Sequence, residues 1–277
     1  MAASSAAIVT PAKCEQRCAS RPAALDSTSG WSDLRSVRTT LWVLGLVVAG
    51  WAALTWLIVD MGHPLAQLTM PETRAWHAEN LVAITVMWAV MMAAMMLPSA
   101  LPMVQTLANA RTAQGGTARW QSFVLAYLLV WAAFSAAATG VQWALQAAGW
   151  VDPMIVSRSA VLTGLLLVIA GIYQLTPLKR VCLAHCRSPL GFVLGEWRGG
   201  VRGSFLMGLR YGLLCLGCCW ALMALLFVGG VMNLYWIAAL SLVVAVEKLA
   251  PHGDRLGLLL GNVLIAAGVW RMLTLTH

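Results

Sequence analysis

The stretch YGLLCLGCCWALM, Tyr211 to Met223, places three of the chain's seven cysteines within five positions and carries no charge. In a helix, residues three and four apart share a face. Cys215, Cys218 and Cys219 therefore form one stripe, and Met223 extends it by a further turn. A single buried cysteine packs as a small hydrophobe. Three on one stripe form a set of soft donors, and thiolate with thioether favours Cu(I) over hard cations. A second soft run is TVMWAVMMAAMMLPSALPM, in which Met87, Met91 and Met95 recur every four residues beside Met92 and Met96. Met91 and Met95 are the expected thioether partners of the cysteine stripe. The competing account is that methionine is flexible packing material. Pro98 and Pro102 follow at once, predicting a kink or break, since proline removes helix hydrogen bonds.

A third donor group is Cys182, His185 and Cys186 in KRVCLAHCRSPLG. Thiolate and imidazole at such spacing converge on one ion in small metal sites, though a closed zinc site takes four ligands and only three are here. The alternative is an ordinary loop. Cys14 and Cys18, near the N-terminus, read as incidental thiols.

The elements that must carry these donors follow from composition. The 277 residues are 60% hydrophobic and 10% charged, with a mean hydropathy of +0.78. Soluble domains carry about 25% charged residues. The apolar residues form long blocks, and about 20 such residues cross a bilayer as a helix. No alternating strands of a membrane barrel are visible. The fold class read here is all-α, a polytopic membrane bundle of about seven helices. The spans read are Leu41 to Asp60, Leu81 to Val104, Gln121 to Ala148, Ser159 to Leu175, Ser204 to Val228, Leu234 to Leu249 and Leu256 to Met272. Residues 1–39 read as a disordered cytoplasmic tail and 40–277 as the transmembrane domain, with a cysteine-containing cytoplasmic loop at 176–203.

The formal charge of +8 reports topology rather than nucleic-acid binding. Fourteen Lys and Arg fall in alternate segments, including Lys179, Arg180, Arg187, Arg198 and Arg202, against three on the other side: Arg74, Arg158 and Arg271. The positive-inside rule then puts the N-terminus and the 176–203 loop in the cytoplasm, where thiols stay reduced. Arg210 and Glu247 fall inside spans of one antiparallel hairpin and are expected to form a structural ion pair, because intramembrane charges pair or serve a pathway. Lys248 is expected to snorkel to the interface.

QLTPLKRVCLAHCRSPLGF, GLRYGLLCLGCCWALMALLFVGGVMN, VEKLAP and MWAVMMAAMMLPSALPM together resemble a bacterial family of predicted metal-binding integral membrane proteins, domain of unknown function 2182. The resemblance covers Met87 to Pro251. It implies a multi-pass protein of the bacterial inner membrane that binds metal.

The leading reading is a membrane protein that binds, delivers or transports Cu(I), with zinc or another soft metal as the alternative ion. Its partners are the lipid bilayer and a metal-donor or metal-acceptor protein, with no nucleic acid. No GxxxxGK[ST] loop is present, which argues against an ATP-driven pump. A second reading is a thiol–disulfide electron carrier. Such a carrier needs cysteines on facing helices, whereas the membrane cysteines here share one span. A third is a structural subunit without metal.

Overall fold

A computed structural model describes residues 29–71, 76–109, 117–152, 157 and 159–274. Eleven helices occur among them, and the only β-pairing is an isolated bridge from Val151 to Ser157. They are α1 (Ser29–Val59), α2 (Pro64–Thr69), α3 (Ala78–Asn109), α4 (Thr117–Ala147), α5 (Ala160–Leu175), α6 (Pro177–Arg187), α7 (Pro189–Glu196), α8 (Gly200–Ala224), α9 (Leu226–Gly229), α10 (Leu234–Leu249) and α11 (Gly253–Leu273). The all-helical bundle is as expected.

The number of spans is not. Five helices are long and apolar enough to cross a membrane, or six if α5 and α6, bent by 65°, are one broken span. The sixth expected span, α10, has 16 residues. At about 1.5 Å per residue it falls short of about 30 Å of hydrocarbon. Helix α1 begins at Ser29, inside the segment read as tail, and Cys14 and Cys18 lie outside the described residues.

The 176–203 segment is also not a simple loop. Thr176 caps α6 by accepting from the Lys179 N–H, and Pro177 occupies its first turn. Ser188 and Pro189 begin α7 in the same manner, without the side-chain cap bond. Proline at the first helical position is preorganised for a helix, so two local start signals overrule the loop assignment.

Two close approaches set the packing. On α5 and α11, Gly164, Gly171, Gly261 and Gly268 face each other; a Cβ on Gly171 would lie 2.6 Å from the Gly261 carbonyl oxygen. On α8 a Cβ at Gly212 would meet Val130 of α4 at 2.9 Å. Small residues allow such helix contacts where lipid gives no hydrophobic drive to associate.

Helix α3 is the central element, with Met91, Met92, Met95, Met96 and Trp88 all buried. It runs unbroken to Asn109 with Pro98 and Pro102 inside it, so the expected break does not occur. Neighbouring helices support the chain there, as packed membrane helices support interior proline.

Candidate metal centre

Cys215, Cys218 and Cys219 lie on one buried face of α8, at 1, 2 and 1% exposure. Cys215 is the sixteenth residue of the 30-residue stretch Gly200–Gly229. At about 1.5 Å per residue it lies about 22 Å from the helix start, midway along the bundle. The thiols of Cys218 and Cys219 donate back to the Cys215 carbonyl at 3.0 and 2.9 Å. Each of these two thiols is thereby satisfied within its own helix, as short polar side chains often are.

Two further helices contribute sulfur. Cys186 of α6 lies beside Cys218. Cys219 points its thiol at the Met96 sulfur of α3, 3.9 Å away. The thioether placed there is therefore Met96, from the stripe next to Met91 and Met95. Met91, Met95 and Met223 are buried in the same core. Cys182 stands against Gly217, where an added Cβ would lie 2.9 Å from its sulfur.

His185 is separated from its neighbours. It is exposed, and its Nδ1 lies 2.8 Å from the Val181 carbonyl. The faces of α6 explain this: Lys179, Cys182, Leu183 and Cys186 form its buried side, and position 185 points away. The expected Cys182–His185–Cys186 convergence is not formed; the two cysteines turn toward α8.

Sequence reasoning missed Lys248. The expected snorkelling lysine is 5% exposed, and its ammonium sits 2.9 Å from Cys215 Sγ and 3.0 Å from Ser99 Oγ. Tyr127 adds its hydroxyl 3.1 Å from Cys215 Sγ and donates to the Met96 carbonyl at 3.2 Å. The rings of Phe123, Tyr127 and Phe192 surround Tyr211, with centroids 5.4–6.0 Å from it. Tyr211 is itself buried, and its hydroxyl donates to the Cys186 carbonyl at 3.4 Å.

The expected Arg210–Glu247 pair is also corrected. Arg210 pairs with Glu196 near the surface. Glu247 is 2.6 Å from Lys179 and accepts from Gln174 at 2.8 Å, both deep in the bundle. Successive helix residues differ by about 100° in direction. Glu247 consequently faces α5 and α6, while Lys248 faces α3 and α8. With Glu247 bound to Lys179, no carboxylate pairs with Lys248 among the described residues.

No three Cys, His, Asp or Glu donors already converge on a metal position among the described residues. The donor chemistry nevertheless fits a soft monovalent ion. Thiols and a thioether are gathered, Glu247 is paired with Lys179, and the Cys218 and Cys219 thiols donate to one carbonyl. A small change of Cys218 and Cys219 rotamers would free them.

Residues 85–271 match the family model of PpoB2, a copper chaperone. The match covers two thirds of the chain, and the chain belongs to that family. No curated protein and no solved structure matches it. The metal-related character implied by the sequence resemblance thus holds, and the metal of the family is copper.

Proposed function

We propose that this member of the copper chaperone family carries Cu(I) as cargo within a bacterial inner-membrane bundle and hands it to an acceptor protein. Cys215, Cys218 and Cys219 are the core ligands, joined by Cys186 and Met96. Cys182, Met91, Met95 and Met223 form the soft surroundings along which the ion is passed, and His185 is a surface contact for a donor or acceptor.

The observation that carries this reading is the meeting of sulfur from α3, α6 and α8 beside one unpaired ammonium. Soft donors select Cu(I) over harder ions. With two of these cysteines bound as thiolates and the others as neutral thiols, the Cu(I) site has one net negative charge. Lys248 cancels it, leaving a neutral unit that the membrane interior tolerates. Zinc(II) on the same two thiolates would leave Lys248 uncompensated.

The test is copper stoichiometry in protein purified without oxygen. Cys215→Ser with Cys219→Ser keeps the size and discards the soft donors. Copper should be lost while the protein remains folded in the membrane. Unchanged stoichiometry would return these cysteines to packing alone, and preferred retention of zinc would exclude the Cu(I) assignment.

A second reading gains one specific support. Cys186 and Cys218 stand on facing helices, which removes the geometric objection to a thiol–disulfide carrier. Copper-free protein that interconverts reversibly between a dithiol and a Cys186–Cys218 disulfide would favour that reading.

A further inference from the structure

Trp197 to Gly203 reads WRGGVRG and leads into the 25-residue helix α8. Its N-cap is Gly199, which supplies no side-chain bond. The first N–H groups of a helix have no intrahelical partner and mark the positive end of its dipole. Here the approach to them is open: a Cβ on Gly199 or Gly200 would meet nothing within 4 Å. Gly200 has φ +75°, a left-handed conformation that favours glycine. Arg198 and Arg202 flank the turn and are exposed.

A buried cation underlies this turn. Arg119 of α4 is 2% exposed. Its Nε donates to Ser204 Oγ at 3.2 Å, and its Cζ sits 4.6 Å from the centre of the Trp197 ring. Trp197 and Ser204 bracket the start of α8, so the guanidinium is held against the first turn. Its Nη2 is buried without a hydrogen-bond partner. Glu196, Asp254 and Glu247 pair instead with Arg210, Arg187 and Lys179. No ion pair neutralises Arg119, Arg198 or Arg202 among the described residues.

We propose that the start of α8 is a binding site for the phosphate of an anionic phospholipid headgroup. The ligand class follows from the donors. Uncapped backbone N–H groups and guanidinium groups are what phosphate oxygens accept from. The source follows from position. Helix α8 is of membrane-crossing length, so its start lies at headgroup level. Trp197 is the aromatic residue found at that depth, and bilayer phosphate is concentrated there. The lipid supplies the counter-charge that the buried Arg119 lacks. This site is separate from the sulfur cluster and does not depend on copper binding.

Native mass spectrometry of the full chain released from detergent tests the site, with phosphatidylglycerol, phosphatidylcholine and inorganic phosphate as probes. The chain should retain phosphatidylglycerol in preference to phosphatidylcholine. Each basic residue near an anionic surface contributes about fivefold, so Arg198→Gln with Arg202→Gln should weaken retention about thirtyfold. Gly199→Asp distinguishes a built site from diffuse attraction. Its carboxylate would cap the same N–H groups, raising the thermal midpoint while lowering phosphatidylglycerol retention at least about fivefold. A gain in stability with a loss of lipid cannot arise from misfolding. A Gly199→Asp chain that retains phosphatidylglycerol like the unaltered one overturns the site. Retention of inorganic phosphate without lipid preference overturns the lipid as its source.

Discussion

Replacing Lys248 by leucine tests the charge arithmetic of the sulfur cluster. Leucine removes the ammonium, which lies 2.9 Å from Cys215 Sγ, and adds no sulfur donor. Two unit charges at that distance interact by about 6 kcal/mol at an effective dielectric of about 20. Part of this is offset by relief from burying the ammonium itself. Half of it, about 3 kcal/mol, corresponds to about a hundredfold change in affinity. Lys248→Leu should therefore weaken Cu(I) binding about a hundredfold, measured by anaerobic competition with a Cu(I) chelator of known affinity. Lys248→Arg, which keeps the charge, should lose less than about tenfold. The sign of the effect carries the information. If only one thiolate bound the ion, the complex would be neutral and the ammonium would merely repel the copper. Lys248→Leu would then bind more tightly. Tighter or unchanged binding in a folded variant refutes the two-thiolate site.

Removing one partner of the buried Lys179–Glu247 pair should cost about 3–5 kcal/mol, because the remaining charge is left uncompensated. Thermal unfolding in detergent should show this loss for Lys179→Met or Glu247→Gln, and Lys179→Met with Glu247→Leu should recover most of it. Arg210→Gln should change stability by less than about 1 kcal/mol, since Arg210 is 58% exposed in its pair with Glu196. Gly171→Ala should destabilise by about 1–3 kcal/mol through forced separation of α5 and α11, seen as a lower unfolding midpoint. Topology is best probed at His185→Cys, an exposed site, since Cys182 and Cys186 are too buried to report it. An impermeant thiol reagent should label it in inverted vesicles and not in intact cells; labelling from outside would reverse the orientation read from the basic residues.

Much of the sulfur cluster was visible in the linear chain. A three-and-four spacing is sufficient to align Cys215, Cys218 and Cys219, because helix geometry is local. Uncharged blocks of about 20 residues identify membrane-length helices for the same reason. The ends of α6 and α7 were legible too, in Thr176-Pro177 and Ser188-Pro189. The basic residues around them, Lys179, Arg180, Arg187 and Arg198, give the segment the composition of a loop between spans. Helix α10 went the other way: its hydropathy suits a span, while its length does not.

What the sequence by itself determined is the class of fold, the cysteine stripe and the soft character of its donors. Tertiary structure alone decided the partners: Met96 rather than Met91 or Met95, Cys186 without His185, Lys248 toward the sulfurs, and Glu247 with Lys179 rather than Arg210. The physical reason lies in the solvent. In a soluble helix the apolar stripe marks the inward face. In a membrane, lipid and core are equally apolar, so hydropathy does not tell which side of a span faces its neighbours. A methionine or lysine one position along a helix turns by about 100°, enough to change its partner without changing the pattern. That choice is fixed by how α3, α6, α8 and α10 pack, and by small residues such as Gly217 that let the α6 cysteines approach.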